Sequence, residues 1–242
     1  MLACMYAQRA DLAPKRPRLT PGDAEVFDRL EAFAYGQLPA DSELEDRTRA
    51  LTMLAVLCGM GAEREFARVL PKALELGLAP EEVKEVVYQA TAYLGTGRAL
   101  PLLEAANEVL AQAGIVTSDV SRLTDTPDTR REAGTAHQMA LWGEAVADFY
   151  TRSHMNYLVC THIFGDYYAR EGLSDADRAL VTFCFLYAMG GVDHELAGYI
   201  KGNIGAGNSP EMLEDVIYQN IPYVGFPRSL SALSVLKSVT DK

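Results

Sequence analysis

Four side chains able to move protons or hold an anion crowd one short stretch late in the chain. In "DHELAGYIKGN" (Asp193–Asn203), Glu195 and Tyr199 stand one helical turn apart and share a helix face, while His194, Gly198 and Lys201 form the adjacent stripe. A carboxylate, a phenol, an imidazole and an ammonium within two turns make a set for general acid–base chemistry beside a bound anion. Arg178 and Arg228 are the arginines placed to anchor that anion, with salt bridging to nearby acids as their plainer role. His194, in a helix's first turn, serves equally well as a solvated or capping residue. His137, His154 and His162 have no ligand spacing relative to one another, and Cys4, Cys58, Cys160 and Cys184 form no C-x-x-C, so no metal site and no cofactor are expected.

The elements that position these residues are written twice. "YQATAYLGTGRAL" (Tyr88–Leu100) returns as "YQNIPYVGFPRSL" (Tyr218–Leu230), and "YGQLPADSELEDRTRAL" (Tyr35–Leu51) aligns without a gap on "FGDYYAREGLSDADRAL" (Phe164–Leu180). One residue is added near Gly190–Gly191, after which Glu65 pairs with Glu195, Gln89 with Gln219, Tyr93 with Tyr223 and Arg98 with Arg228. So long a period means two copies of a small domain rather than a solenoid. The expected layout is an N-terminal tail at 1–20, including a solvated "PKRPR", a first unit at 21–114, a loop-like linker at 115–131 and a second unit at 132–242.

Each copy reads as helices, with no alternating strand pattern, so the fold class is all-α. Ser174 with Asp177 opens a helix that is apolar on nearly every side to Met189 and must be buried. A next helix is expected from about Asp193 to Ile204. Ser209-Pro210 is an N-cap followed by proline at the first helical position. Gly95 and Gly225 end their helices. Pro71 and Pro222 fall inside helical patterns and predict kinks. The last helix of each copy carries Leu103, Ala106 and Leu110, or Leu233, Leu236 and Val239. Tyr88, Tyr93, Tyr218 and Tyr223 are expected as core and interface aromatics whose hydroxyls reach a partner.

Bulk composition narrows the partners. The 242 residues are 49% hydrophobic, enough for one large domain or two half-size units, and carry a net charge of −11. A nucleic-acid binder needs a basic surface, so that class is excluded. No run approaches the roughly eighteen apolar residues needed to span a bilayer, and the opening residues lack the charged and apolar regions of a signal peptide. A reducing cytoplasm suits unpaired cysteines in apolar surroundings.

The pattern R-x-L, then E-[FL], a Gly-containing turn, "PEE" or "PEM", and Y-x-G-x-[PG]-R-x-L resembles the carboxymuconolactone decarboxylase family, most clearly in "YIKGNIGAGNSPEMLEDVIYQNIPYVGFPRSLSAL" (Tyr199–Leu233). The resemblance implies a duplicated AhpD-like helical bundle, a homo-oligomer that is a trimer or a multiple of one, and a cofactor-free lyase or isomerase on a small carboxylated lactone or enolisable acid. The sequence departs from the family's chemical residues. The two cysteine positions of AhpD-type relatives fall on Ala62 and Glu65, and on Val192 and Glu195. The glutamate falls on Ala50 and Ala179, and the histidine on Val69 and Tyr199. A thiol peroxidase or reductase is therefore opposed, and a non-catalytic binding or scaffold protein is the second rival. Tyr199 replaces the histidine with a group that still donates a proton, which Val69 cannot do. On this reading the site is expected in the second copy, with Glu195, Tyr199 and His194 as catalytic residues and Arg178, Arg228 and Lys201 holding the substrate.

Overall fold

Apolar runs at helical spacing become twelve α-helices in the computed structural model, which describes residues 9–117 and 121–241. Cys4 and residues 118–120 of the expected linker lie outside them. The first half contains α1 (Ala24–Glu31), α2 (Asp46–Met60), α3 (Glu63–Glu75), α4 (Pro80–Leu94) and α5 (Thr96–Gln112). A helix with no counterpart among the described residues of the first copy, α6 (Arg130–Trp142), leads into the second half. That half contains α7 (His154–Leu158), α8 (Asp175–Met189), α9 (Asp193–Gly205), α10 (Pro210–Gln219), α11 (Ile221–Val224) and α12 (Phe226–Thr240). π-helical turns follow α1 at Ala32–Gln37 and α7 at Val159–Tyr168. No strand occurs among the described residues, where a single antiparallel bridge joins Leu123 to Arg170. No helix among them is long and apolar enough to cross a membrane.

The two apolar runs form the centre. Every residue of α2 from Arg49 to Gly59, and of α8 from Arg178 to Ala188, is buried. Burying one Leu, Val or Phe side chain contributes roughly 1.5–3 kcal/mol, several times the spread of helix propensities, so packing rather than propensity holds these helices. They lie directly against each other. A Cβ added at Gly59 would stand 2.8 Å from the Phe185 carbonyl oxygen and 2.9 Å from the Ala188 Cβ, which is why the crossing admits no larger residue.

The punctuation signals hold. Ser174 Oγ accepts the Asp177 amide at 3.1 Å, and Ser209 Oγ accepts that of Met212 at 3.1 Å. Gly95 and Gly225 close their helices at φ of 77° and 85°. Pro222 lies at the start of α11, where the helix breaks at Asn220, whereas α3 runs through Pro71 without ending.

The doubled phrase does its work across the two halves. Gln89 on α4 accepts from Arg178 at 3.2 Å and donates to the Arg178 carbonyl at 2.9 Å, while Gln219 on α10 accepts from Arg49. Tyr93 hydrogen-bonds Tyr199, and Tyr223 hydrogen-bonds Tyr35. Each copy thus lends its Gln and Tyr to the other. Arg98 and Arg228 cap the central helices of their own halves, donating to the carbonyls of Gly59 and Ala188 at the ends of α2 and α8, and Arg228 also reaches Met60 Sδ of the first half at 2.7 Å.

The lead-in differs from the solvated tail expected at 1–20. From Arg9 onward it is docked, because it carries both apolar anchors and arginines that find acids. Leu12 is 2% exposed and Pro14 is buried. Arg9 pairs with Asp46 at 2.8 Å, and Arg16 with Asp28 at 2.8 Å and with Glu31. The side chains of Lys15, Arg16, Pro17 and Arg18 stay exposed, as the sequence predicts.

Candidate functional site

Three elements meet beneath the docked lead-in. The π turn after α1 presents Tyr35, α3 presents Glu65 and Arg68 one turn apart, and the break before α11 turns Tyr223 toward them. Together with Pro14 and Pro17 of the lead-in they line a cavity of about 250 Å³. Glu65 grips Arg68 in two-pronged fashion, with Nε donating to Oε2 at 2.8 Å, and Arg68 Nη1 donates to the Lys15 carbonyl at 2.6 Å. The Glu65 hydrogen bond raises the guanidinium's pKa above its ordinary value, so the cavity holds a permanent cation. The Tyr35 and Tyr223 hydroxyls lie 3.2 Å apart. Burial pushes both phenols up. The hydrogen bond from Tyr223 works against this at Tyr35, whereas the neighbouring Tyr35 adds to it at Tyr223. Tyr35 is thus the less strongly shifted of the pair, with the Tyr223 hydroxyl within hydrogen-bond reach of its oxygen.

The aligned place in the second half is built from the same alignment columns and filled. Phe164 stands for Tyr35, Gly198 for Arg68, Tyr199 for Val69 and Tyr93 for Tyr223. Trp142, at the end of α6, donates to the Gly198 carbonyl at 3.0 Å and packs edge-on to Tyr199 and Phe164, with ring centres 5.4 and 5.7 Å away. A Cβ at Gly202 would meet its indole at 2.9 Å. An indole thus lies over the segment that carries a guanidinium in the first half, and a phenyl ring replaces a phenol.

The six residues named from the sequence fall in separate places. Tyr199 is half-buried in the aromatic cluster. His194, Glu195 and Lys201 are exposed, and none makes a side-chain hydrogen bond among the described residues. Arg178 is fully buried and committed to Glu85 at 3.1 Å and to the Arg170 carbonyl at 2.7 Å. Arg228 lines a cavity of about 310 Å³ whose walls hold none of the other five. The residues that do converge were partly legible. Arg68 lies three positions after Glu65, an ion-pair spacing on a helix. Tyr223 was expected as a core or interface aromatic and Tyr35 only as the first residue of a repeated phrase, because nothing in either segment reveals that they meet.

A larger, open cleft of about 870 Å³ lies between the start of α2 and α10, but Glu43, Glu45, Glu211, Glu214 and Asp215 line it. No cation joins them among the described residues, whereas the smaller cavity sets Arg68 beside its two carboxylates, Glu65 and Glu31, the latter paired with Arg16, so it suits an anionic ligand better. Among the described residues no cluster of metal-ligating side chains occurs. Cys58, Cys160 and Cys184 are free and buried, and burial pushes the Cys58 and Cys184 thiols up, away from the reactive thiolate.

Alkaline stability follows from the same burial. Tyr93, Tyr168, Tyr187, Tyr199 and Tyr223 are all held well above the ordinary phenol range by desolvation. A group whose pKa is raised by folding keeps its proton in the native state while the unfolded chain gives it up, so stability declines as pH rises past the unfolded value. The urea midpoint is expected to be flat near neutrality, to decline from about pH 8.5 as the two thiols begin to ionise in the unfolded chain, and to steepen above about pH 10. A midpoint as high at about pH 10.5 as at neutrality would show that these groups are hydrated in the folded protein.

Comparison with known proteins gives two matches. A sequence model of the carboxymuconolactone decarboxylase family matches residues 24–108 and 155–238, which is more than half of the chain and one match per half. A 4-carboxymuconolactone decarboxylase of Acinetobacter baylyi is 28% identical over 93 residues, covering 38% of this chain and 69% of that relative.

Proposed function

Since the chain belongs to the carboxymuconolactone decarboxylase family, we propose that it is a cofactor-free lyase or isomerase acting on a small carboxylated lactone or enolisable acid in the cavity beneath Arg68. The observation that carries this is the convergence of one fixed cation and one hydrogen-bonded phenol pair on that cavity. At about 250 Å³ it lies just below the roughly 300–1,000 Å³ of drug-sized sites, which suits a small acid. The relative's name supplies the substrate to try first, 4-carboxymuconolactone.

Each residue then has a task. Arg68, pinned by Glu65, exchanges the Lys15 carbonyl for the substrate's anionic oxygen. As the carbon–carbon bond breaks, carbon dioxide leaves and the electron pair remains on the substrate as an enolate. The Tyr35 hydroxyl protonates that carbon, and Tyr223 donates to the phenolate until water returns the proton. The second half supports the first by packing, with Trp142 filling its own counterpart space. Leu100 and Leu230, exposed at aligned positions of the two halves, are apolar faces available to a closed homo-oligomer, which light scattering would detect.

Carbon dioxide release from 4-carboxymuconolactone tests the reading, with Arg68→Met as the control. Losing a charge-assisted hydrogen bond of about 1.5–3 kcal/mol is expected to lower kcat/KM by roughly 10- to 150-fold. Wild-type turnover in the Arg68→Met protein, or no turnover of any small carboxylated lactone by the wild type, would overturn it.

A further inference from the structure

The two halves bury one arginine each at aligned positions, Arg49 and Arg178, and treat them differently. Arg178 meets the Glu85 carboxylate at 3.1 Å. Arg49 is 4% exposed, yet its hydrogen bonds among the described residues go only to neutral groups: Gln219 Oε1, Ser42 Oγ at 3.0 Å and the Leu44 carbonyl at 3.4 Å. Its Nε has no partner among the described residues, as is also true of Arg178, so the absent carboxylate is what sets Arg49 apart. The cause is one methylene. The residue aligned with Glu85 is Asp215, whose shorter carboxylate stops at Ser42 Oγ, 2.8 Å away, and at Gln219 Nε2, 3.3 Å away. A buried guanidinium without a carboxylate in contact is costly, and an anion that reaches it is correspondingly favoured.

Arg49 also lies behind the candidate active cavity. It lines a gap of about 10 Å³ whose walls include Tyr35, Tyr223, Ala34 and Pro222, all of which wall the 250 Å³ cavity too. The gap holds at most about one water. Tyr35 and Tyr223, whose hydroxyls lie 3.2 Å apart, wall both spaces.

We propose that Arg49 is an interior anion subsite, entered when the Tyr35–Tyr223 pair parts, that binds a carboxylate group of the ligand held at its other end by Arg68. The subsite deepens the decarboxylase reading and rests on it only for the location of the cavity. Its specificity is for a small oxyanion, because Nη1 and Nη2 already donate to Gln219, Ser42 and Leu44 and Nε is the donor left to meet an incoming oxygen. Asp215 determines whether the subsite is open: a glutamate there would supply the missing carboxylate internally.

Formate is the probe, with chloride at equal ionic strength as reference, read by titration calorimetry and by the thermal midpoint of the whole protein. Wild type is expected to bind formate and to be stabilised by it beyond chloride. Asp215→Glu is expected to raise the baseline urea midpoint and to weaken formate binding by about tenfold or more, as the new carboxylate takes the guanidinium. Arg49→Met is expected to abolish the formate binding that responds to Asp215→Glu, and Arg68→Met to retain that binding. The subsite is overturned if the wild type does not distinguish formate from chloride, if Asp215→Glu leaves formate binding unchanged or lowers the urea midpoint, or if Arg68→Met alone removes binding. Failure to turn over 4-carboxymuconolactone, with formate binding still sensitive to Asp215→Glu, would overturn the reaction and leave the subsite standing.

Discussion

Replacing Glu85 by Ala is expected to destabilise the protein by about 3–5 kcal/mol, the usual cost of stranding a buried charge. Glu85 is 1% exposed and serves two arginines from the other half. Arg170 reaches it with Nε at 3.0 and 3.1 Å and with Nη2 at 2.9 Å, and Arg178 reaches it with Nη2 at 3.1 Å. Removing the carboxylate leaves Arg178, already pushed below its ordinary pKa by burial, with neutral partners only. Removing Arg178 is a smaller injury, since Glu85 keeps Arg170. Arg178→Met should therefore cost clearly less than Glu85→Ala, and Glu85→Gln should fall between them because it retains hydrogen-bonding atoms. Urea unfolding with an unchanged m-value measures all three. An Ala variant within about 1 kcal/mol of wild type would mean that water reaches the pair.

This network also marks the limit of what the sequence reveals. Helices, caps and the duplication are local or periodic features, and Ser174, Ser209, Gly95 and Gly225 sit where the patterns put them. The repeated Gln and Tyr were visible, but not their exchange between halves: a repeat says which residues play the same part and is silent on which copy receives them. The same silence hid the convergence of Tyr35, Arg68 and Tyr223 on one cavity. Glu195, Tyr199, His194 and Lys201 share a helix stretch, yet what lies opposite that stretch is decided by Trp142 on α6, a helix outside the repeat. The lead-in looked like a tail because its charges are conspicuous, while the burial of Leu12 and Pro14 depends on a groove made by distant residues. Asp215 in place of Glu85 reads as a mild change in sequence, and one methylene decides whether a buried arginine has a carboxylate.

Tyr35→Phe is expected to remove most turnover, on the order of 10²–10⁴-fold, while leaving the fold intact. The substitution keeps the ring that packs beside Ala34 and deletes only the hydroxyl that the proposed mechanism uses as its acid. Tyr223→Phe should cost less. It leaves the acid in place but removes the donor that opposes the burial-driven rise of the Tyr35 pKa, so the loss belongs in kcat with little change in KM. Tyr199→Phe should leave turnover nearly unchanged, since its hydroxyl meets Tyr93 inside a packed aromatic cluster. The three variants together separate the halves: chemistry in the second half would reverse the order, with Tyr199→Phe the most damaging and Tyr35→Phe silent. Phe164→Tyr should not create a second site, because the phenol it restores would face Trp142 and Gly198 where the first half presents Arg68. An acid without a cation beside the developing enolate oxygen lacks the anion stabilisation on which cofactor-free decarboxylation depends.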